Sequence, residues 1–298
     1  MPLNEMDEMP KPLVSVPVIT YNSSKTVLET LDSISNQTYQ NIELIVSDDC
    51  STDNTVEICR KWIEAHKERF VRTELLTVEK NTGVSANMNR AERACLGEWV
   101  KIIAGDDILL EDCLDSYVKY ILHHHNATFV FAKMKPFGGE KWHIDCLENC
   151  YLEHQKFFKW TIKQQYDYLT LESNCLPAPT FFYNRLAIYN LGVVNDERIP
   201  FLEDWPKWIN LLKHEVRFHF LDKVTVLYRI GTDSLSTSSK ISEGYKKSLS
   251  LFYLYYQFKP QFRAGQKREA VRKFVLSKYI VTNSFFWKGL NFILKRTL

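Results

Sequence analysis

Short apolar runs that alternate with segments of helical periodicity constrain the fold of this chain more than any other feature. The runs cover 13–19, 42–46, 73–78 and 99–103, and an amphipathic helical pattern follows each of the first three. Buried strands that alternate with helices at short intervals form parallel sheets with helices on both faces. The sequence therefore predicts an α/β unit, in which Pro17 must lie where the sheet needs no amide donor or at a bulge.

Polar residues follow three of these runs at the point where each ends. Tyr21-Asn22 follows the first run, Asp48-Asp49 the second and Asp106-Asp107 the fourth. Ligands of open parallel sheets bind outside the carboxyl ends of the strands, so the three loops are expected to share one rim. Adjacent carboxylates repel unless a cation or proton neutralises one of them, and Mg²⁺ or Mn²⁺ prefers such oxygen ligands. Gly-Asp-Asp before a helix is also ordinary turn and capping chemistry, so the pair alone leaves both interpretations open.

Taken together, the motifs resemble those of the family 2 glycosyltransferases, which have the nucleotide-diphosphosugar-binding fold called GT-A. The matching segments are 14–22, 33–39, 45–53, 81–85 and 97–107, in family order and at family-like intervals. The resemblance extends to about residue 115 and weakens after about residue 130. It implies a Rossmann-like, mostly parallel sheet flanked by helices, followed by an acceptor-side region.

The resemblance also implies roles for individual residues. It places Thr20, Tyr21 and Asn22 at the nucleotide, with Asp49 accepting a hydrogen bond from the base. It places Asp106 near the ribose or the metal, and Asp107 as the ligand of a Mn²⁺ or Mg²⁺ ion that bridges the diphosphate. Asn81, Gly83 and Arg229 are expected at the donor diphosphate, and for Arg229 an ion pair with a surface acid is the alternative.

Two departures from the family pattern affect these expectations. Cys50 stands where glycine or asparagine is more usual, and Met88 stands where many relatives have an arginine. Without that arginine the protein neutralises less of the donor's negative charge. The metal then becomes more important, or the identity of the donor less certain.

A base for the acceptor hydroxyl is expected outside the first rim, because inverting transfer requires it on the face opposite the departing diphosphate. The segment 201–212 resembles the Glu-Asp segment of the family, and Asp204 is the predicted base. The local alternative is that Asp204, two residues before Pro206, caps a helix whose packed face includes Trp205 and Trp208. The upstream motifs favour the catalytic role.

Charge is distributed unevenly along the chain. Residues 240–298 contain 13 Lys and Arg against two acidic residues, interleaved with aromatic side chains. This composition suits an anionic membrane surface, and amphipathic helices that pack on the catalytic domain fit it equally well. We therefore divide the chain into an N-terminal tail (1–12), a nucleotide-sugar-binding half (13–130), an acceptor-binding half (131–239) and a helical basic extension (240–298).

Other features of the sequence favour the cytoplasm. Seven cysteines are an odd number in a chain of 298 residues, and the N-terminus carries acids and prolines where a secretory signal would be basic and apolar. No uninterrupted apolar run reaches bilayer length. A cytoplasmic protein is expected, with peripheral attachment to the inner face of the cell membrane left open.

The sequence thus predicts a metal-dependent, inverting, hexosyltransferase-type glycosyltransferase. It would move one sugar from a nucleotide diphosphate sugar, with UDP as the default, to a hydroxyl of a saccharide or lipid-linked saccharide in surface polysaccharide, O-antigen or capsule biosynthesis. The alternative is a catalytically silent nucleotide-sugar-binding or scaffold protein of the same fold. A nucleic-acid-binding protein that uses the basic extension is a third, less favoured interpretation.

Overall fold

The structure is a computed structural model that describes residues 11–141, 144, 155–231, 242–263, 265–282, 288, 290 and 291. Its strands are β1 Val14–Thr20, β2 Ile42–Asp48, β3 Arg72–Thr77, β4 Trp99–Val100, β5 Ile103–Ala104, β6 Ile108–Leu109, β7 Phe129–Phe137, β8 Phe182–Asn184 and β9 His219–Arg229. Its α-helices are α1 Val27–Ser35, α2 Thr55–His66, α3 Val84–Ala94, α4 Cys113–His123, α5 Ile162–Leu171, α6 Arg185–Tyr189, α7 Asp204–Lys213, α8 Glu243–Phe252, α9 Lys259–Arg263 and α10 Lys267–Thr282.

A single mixed sheet contains the strands of the described residues. Its order is β3-β2-β1-β4-β8-β7-β9-β6, and β5 is a further partner of β1. Strands β1 to β5 pair in parallel, as does β7 with β9, whereas β8 runs antiparallel to β4 and β7, and β6 runs antiparallel to β9. The prediction of a mostly parallel sheet flanked by helices is confirmed.

Pro17 lies where the sheet lacks a partner on one side. Strand β4 pairs with β1 at Val14 and Ser15, and β5 pairs with it at Val18 and Ile19. The Ser15 carbonyl accepts the Lys101 amide at 2.9 Å, so the nitrogen of Pro17, two residues on, faces the same side. The missing amide hydrogen therefore falls at the interruption between β4 and β5, and the expectation for Pro17 is confirmed.

The prediction of one continuous strand over 99–103 is wrong, because Lys101 turns inward between β4 and β5. Its side chain is fully buried, and its ammonium donates to the carbonyls of Ile102 at 2.8 Å and Pro179 at 2.6 Å. Burial lowers the pKa of Lys101 to about 8. Two carbonyls thus replace water around the buried ammonium, and the chain bends to reach them.

Two apolar cores cover the two faces of the sheet. One contains Leu31 of α1, Cys59 of α2 and Tyr117 of α4. The other contains Met88 of α3 and Trp208 of α7, together with side chains from α5 and α8. The helical periodicity of these segments is therefore explained by burial against the sheet.

The C-terminal extension packs on the second core. Phe252 at the end of α8 and Tyr256 in the π-helical segment Tyr253–Phe258 are buried there. The amides of Gln257 and Gln261 donate to the α5 carbonyls of Leu169 at 3.5 Å and Thr170 at 3.0 Å. Packing on the domain, one of the two expectations for the extension, is confirmed for this part.

Some predictions lie beyond this description. The segments 232–241 and 292–298, and most of 1–12, fall outside the described residues. The division of the chain at 12, 130 and 239 stays a prediction. Among the helices of the described part, none combines the length and apolarity needed to cross a bilayer.

Candidate active site

The three loops predicted to share a rim are joined by direct hydrogen bonds. The Asn22 side chain accepts the Thr52 amide at 2.8 Å, which ties the loop after β1 to the loop after β2. The Thr26 hydroxyl donates to the Gly105 carbonyl at 2.9 Å, which ties the β1 loop to the turn after β5. Asn22 and Cys50 both have positive φ, 51° and 66°, a conformation that explains why glycine or asparagine is usual at position 50.

The side chains of Tyr21 and Thr20 differ in exposure at this rim. The Tyr21 side chain is 48% exposed, so its ring is available to a ligand. Thr20 is buried, and its hydroxyl donates to the Asp48 carboxylate at 2.9 Å. Tyr21 can therefore contact a base with its side chain, whereas Thr20 holds the ends of β1 and β2 together.

The carboxylate of Asp49 organises the loop before α3. It accepts the amides of Thr82 at 2.9 Å and Gly83 at 2.7 Å, and it pairs with the Arg90 guanidinium at 3.1 Å. Asn81 supports the same turn, since its side-chain oxygen accepts the Gly83 amide at 3.1 Å. The bonds of the Asp49 carboxylate described here are all within the protein. The predicted hydrogen bond from the nucleotide base to Asp49 stays a prediction.

Arg90 is a site residue that the sequence analysis missed. Its guanidinium reaches the Asp49 carboxylate, the Ser47 hydroxyl at 3.1 Å and the Asn87 side chain at 2.8 Å. Met88, where the family pattern led us to look for an arginine, is buried in the second core. The Arg90 guanidinium thus provides a positive charge at this loop, from a position two residues after Met88 on α3.

Asp106 and Asp107 lie in the turn after β5, and they differ in exposure. Asp107 is buried, with one carboxylate oxygen accepting the Arg229 backbone amide at 2.9 Å, whereas Asp106 is partly exposed. Burial and the charge of Asp106 raise the pKa of Asp107 well above its usual value. Burial also raises the pKa of Asp106, and the Arg229 charge opposes that rise.

Arg229 is engaged on both sides of this turn. Its guanidinium donates to the Asp106 carbonyl at 2.8 Å, pairs with Glu29 at 2.7 Å and lies 4.5 Å from the Phe137 ring centroid. The ion pair with an acid, the alternative raised from the sequence, is therefore formed. The same contacts hold the end of β9 against the carboxylate pair.

A divalent cation at this carboxylate pair would need further ligands from a substrate. In the part of the chain that the structure describes, no group of three or more His, Cys, Asp and Glu side chains is arranged to hold a metal ion. Mg²⁺ and Mn²⁺ need only one or two carboxylates where phosphate oxygens supply further ligands. Two adjacent carboxylates provide that donor set, and the charge of Asp106 together with burial raises the pKa of Asp107. Arg229 beside them is already paired with Glu29.

Gly83 connects this rim to the segment that precedes α7. Its φ is 87°, and a Cβ at this position would lie 2.6 Å from the Cβ of Pro200. The Ser85 amide donates to the Pro200 carbonyl at 3.1 Å, and the Ser85 hydroxyl donates to the Ile199 carbonyl at 2.7 Å. The donor-side loop and the chain leading to Asp204 are thus in direct contact.

Asp204 is the first residue of α7 and is held by two hydrogen bonds. One carboxylate oxygen accepts the Asn174 side-chain amide at 2.7 Å, and the other accepts the Trp205 backbone amide at 2.7 Å. Glu203, not Asp204, occupies the N-cap position. The Asp204 carboxylate nevertheless satisfies a free amide of the first helical turn, and Trp205 and Trp208 pack in the core, so both features of the local alternative are present.

The carboxyls of Glu203 and Asp204 both have raised proton affinity. Burial, followed by the charge of Asp204, raises the pKa of Glu203 to about 7. Burial raises the pKa of Asp204, while the bonds from Trp205 and Asn174 oppose that rise. A carboxylate with a raised pKa is a better proton acceptor at neutral pH.

Comparisons with known proteins identify the family and support the fold. The model of the family described as "Glycosyl transferase family 2" matches residues 15–189, more than half of the chain. An uncharacterized glycosyltransferase of Methanocaldococcus jannaschii is 26% identical over 282 residues, covering 94% of this chain and 86% of the relative. The putative teichuronic acid biosynthesis glycosyltransferase TuaG of Bacillus subtilis is 24% identical, covering 76% of this chain and 83% of the relative.

A further relative and a solved structure extend the comparison. The Escherichia coli protein WfaP, named as a UDP-Glc:alpha-D-GlcNAc-diphosphoundecaprenol beta-1,3-glucosyltransferase, is 23% identical and covers 76% of this chain and 80% of its own length. The structure of S. aureus TarS 1-349 in complex with UDP-GlcNAc has a TM-score of 0.62 at 21% identity, over 89% of this chain and 79% of that one. TarS supports the GT-A fold, and the family model shows that the chain belongs to glycosyl transferase family 2.

Proposed function

We propose that this chain is a metal-dependent, inverting glycosyltransferase that moves one sugar from a UDP-sugar to a hydroxyl of a saccharide or lipid-linked saccharide. The main support for the proposal is the direct contact between the candidate donor-binding loops and the segment that leads to Asp204. The rim with Tyr21, Asp49 and the Asp106-Asp107 pair touches, through Gly83 and Pro200, the segment that ends in Asp204. A donor site and a proton acceptor in one connected structure are what sugar transfer requires.

The relatives support the finer details of the proposal. TarS has been solved with UDP-GlcNAc and with UDP, and the name of WfaP specifies a UDP-sugar donor and a diphosphoundecaprenol-linked acceptor. The name of TuaG specifies teichuronic acid biosynthesis. By analogy, we assign the chain a role in surface polysaccharide assembly.

The residues of the rim have separate tasks in the proposed reaction. Tyr21 borders the base, and Arg90 holds Asp49 and with it the Asn81–Gly83 turn at the donor. Asp106 and Asp107 would hold the Mn²⁺ or Mg²⁺ ion, which supplies stabilisation of the negative charge on the departing diphosphate. Asp204 takes the proton of the acceptor hydroxyl, and Asn174 orients the carboxylate.

Thermal stabilisation by nucleotides tests the donor site. We expect UDP with Mn²⁺ to raise the melting temperature more than UDP alone, with ADP and GDP giving smaller shifts, since a ligand that binds the folded state stabilises it. Release of UDP from UDP-glucose or UDP-GlcNAc in the presence of Mn²⁺ then separates an enzyme from a silent binding protein. Stabilisation without any UDP release over a panel of donors and acceptors would favour the silent binding protein.

The acid limb of the pH profile tests the role of Asn174. Because the ionised Asp204 is the proposed base, activity rises with pH through its pKa. The Asn174 amide favours the ionised form, so Asn174→Ala is expected to raise that pKa and move the limb of kcat/KM to higher pH by about 1 unit, the equivalent of one hydrogen bond to a charged group. Ser173→Ala, at the neighbouring exposed position, is the control, and a limb that stays in place in Asn174→Ala would exclude this role.

The exposed surface of the extension supports peripheral attachment to an anionic membrane. Its exposed side chains include Arg263, Lys267 and Arg268, with the apolar Phe262 and Val271 beside them. Cationic and apolar side chains on one surface suit anionic headgroups. We expect the chain to float with phosphatidylglycerol vesicles and the triple variant Arg263→Glu, Lys267→Glu, Arg268→Glu to remain at the bottom; equal flotation of both would remove this surface from the proposal.

A further inference from the structure

Helix α8, which lies outside the part of the chain matched by the family model, is fitted closely to the segment that carries Asp204. A Cβ at Gly244 would lie 2.7 Å from the Phe201 ring, so only glycine allows this approach. The Phe201 amide donates to the Ser248 hydroxyl at 3.2 Å. One turn further on, the rings of Phe252 and Trp205 lie 4.3 Å apart. The extension is therefore docked directly beside the proposed base.

This docking brings Tyr245 to the acceptor side of the site. The Tyr245 ring packs against the second core and is partly exposed. Its hydroxyl makes no hydrogen bond to any residue that the structure describes. Glu203 and Asp204 lie near enough for their charges to act on the phenol. Tyr228, which precedes Arg229 in β9, also lies near enough to interact electrostatically with it. Tyr245 thus lies on the helix that packs against the Asp204 segment, in the neighbourhood of Asp204 and of Tyr228.

The chemistry of Tyr245 suits contact with a sugar. Burial, together with the negative charges of Asp204 and Glu203, raises the pKa of the Tyr245 phenol, so the group is neutral and keeps its proton. A neutral phenol can both donate and accept a hydrogen bond, and its ring offers an apolar face beside a polar tip. A hydroxylated ring bound next to Asp204 would meet both groups.

We propose that Tyr245 is an acceptor-binding residue and that the C-terminal extension thereby forms part of the acceptor site. The ligand class is a saccharide, bound through a hydroxyl to the Tyr245 phenol and through its ring to the aromatic face. This inference rests on the proposed function, since it assigns a subsite of the same reaction. It gives the extension a direct role in the choice of acceptor.

Steady-state kinetics with UDP-glucose and UDP-GlcNAc as donors test this role, with p-nitrophenyl glycosides of glucose, galactose and N-acetylglucosamine as acceptors. Tyr245→Phe is expected to raise the acceptor KM about 5- to 10-fold, the effect of one hydrogen bond, and Tyr245→Ala to raise it further. Donor hydrolysis to water and the donor KM should stay within about twofold, because neither uses the phenol. Tyr189→Phe, at a 73% exposed tyrosine, is the matched control.

The possible outcomes separate the two proposals. An unchanged acceptor KM in Tyr245→Phe, or donor hydrolysis by the unmodified chain without transfer to any of these glycosides, would overturn the saccharide subsite and leave the donor site in place. Absence of donor turnover by the unmodified chain would overturn the proposed function itself. A melting temperature for Tyr245→Phe equal to that of the unmodified chain shows that a raised KM does not come from loss of folding.

Discussion

Replacing Asp204 with asparagine is expected to lower the rate of sugar transfer by about 10²- to 10⁴-fold, the usual contribution of a positioned general base. Asparagine has nearly the same shape, and its side-chain oxygen can still accept the Trp205 amide that now donates at 2.7 Å. Donor binding should therefore persist, because the rim around Asp49 and Asp106 is untouched. Initial rates of transfer, together with thermal stabilisation by UDP and Mn²⁺, measure the two effects separately.

Glu203→Gln provides the matched control for this prediction. It removes the neighbouring carboxyl, whose pKa of about 7 makes it the competing candidate for the base. We expect Glu203→Gln to lose much less activity than Asp204→Asn, because the Asn174 bond at 2.7 Å orients Asp204. The reverse ranking would transfer the role to Glu203.

Neutralising the carboxylate pair is expected to remove the metal-dependent part of donor binding. Asp106→Asn and Asp107→Asn should each weaken UDP binding in Mn²⁺ by at least about tenfold, or about 1.4 kcal/mol, while binding without metal changes little. Isothermal titration with UDP, with and without Mn²⁺, measures the difference. Asp222→Asn, at a 66% exposed side chain, is the control.

Asp107→Asn is expected to leave the stability of the metal-free protein at least as high as that of the unmodified chain. Asp107 is buried, and its raised pKa shows that the ionised carboxylate is held at a cost in folding free energy. Asparagine keeps an oxygen for the Arg229 amide and removes the charge. The metal-free Asp107→Asn protein should therefore melt no lower than the unmodified chain. Full Mn²⁺-dependent UDP binding by Asp107→Asn would contradict its assignment as a ligand.

The first half of the fold could be predicted because β1, β2 and β3 are short apolar runs that are each followed by a helix. The second half could not, because its strands do not follow that alternation: β8 runs antiparallel to both β4 and β7. The split between β4 and β5 was also missed, since a lysine inside an apolar run gives no sign that its ammonium will find carbonyl partners such as Pro179.

The places of the candidate site residues in the fold could be predicted better than their contacts. Tyr21, Asp49 and Asp106 follow their strands and lie at one rim, because the carboxyl ends of parallel strands lie along the same edge of the sheet. The bonds from Thr82 and Gly83 to Asp49 were not foreseen, because they depend on how a distant turn is oriented. Arg90 was not predicted, because the family pattern places an arginine at position 88 and periodicity alone does not show that a long side chain from position 90 reaches Asp49.

The contact between Gly83 and Pro200 restricts which residue can stand at position 83. The Asp49 carboxylate holds the Gly83 amide at 2.7 Å, and Gly83 lies against the residue three positions before Glu203. Any residue larger than glycine at position 83 would meet Pro200 and would also have to adopt a φ of 87°. A substitution in the donor-side loop is therefore expected to displace the segment that leads to the proposed base.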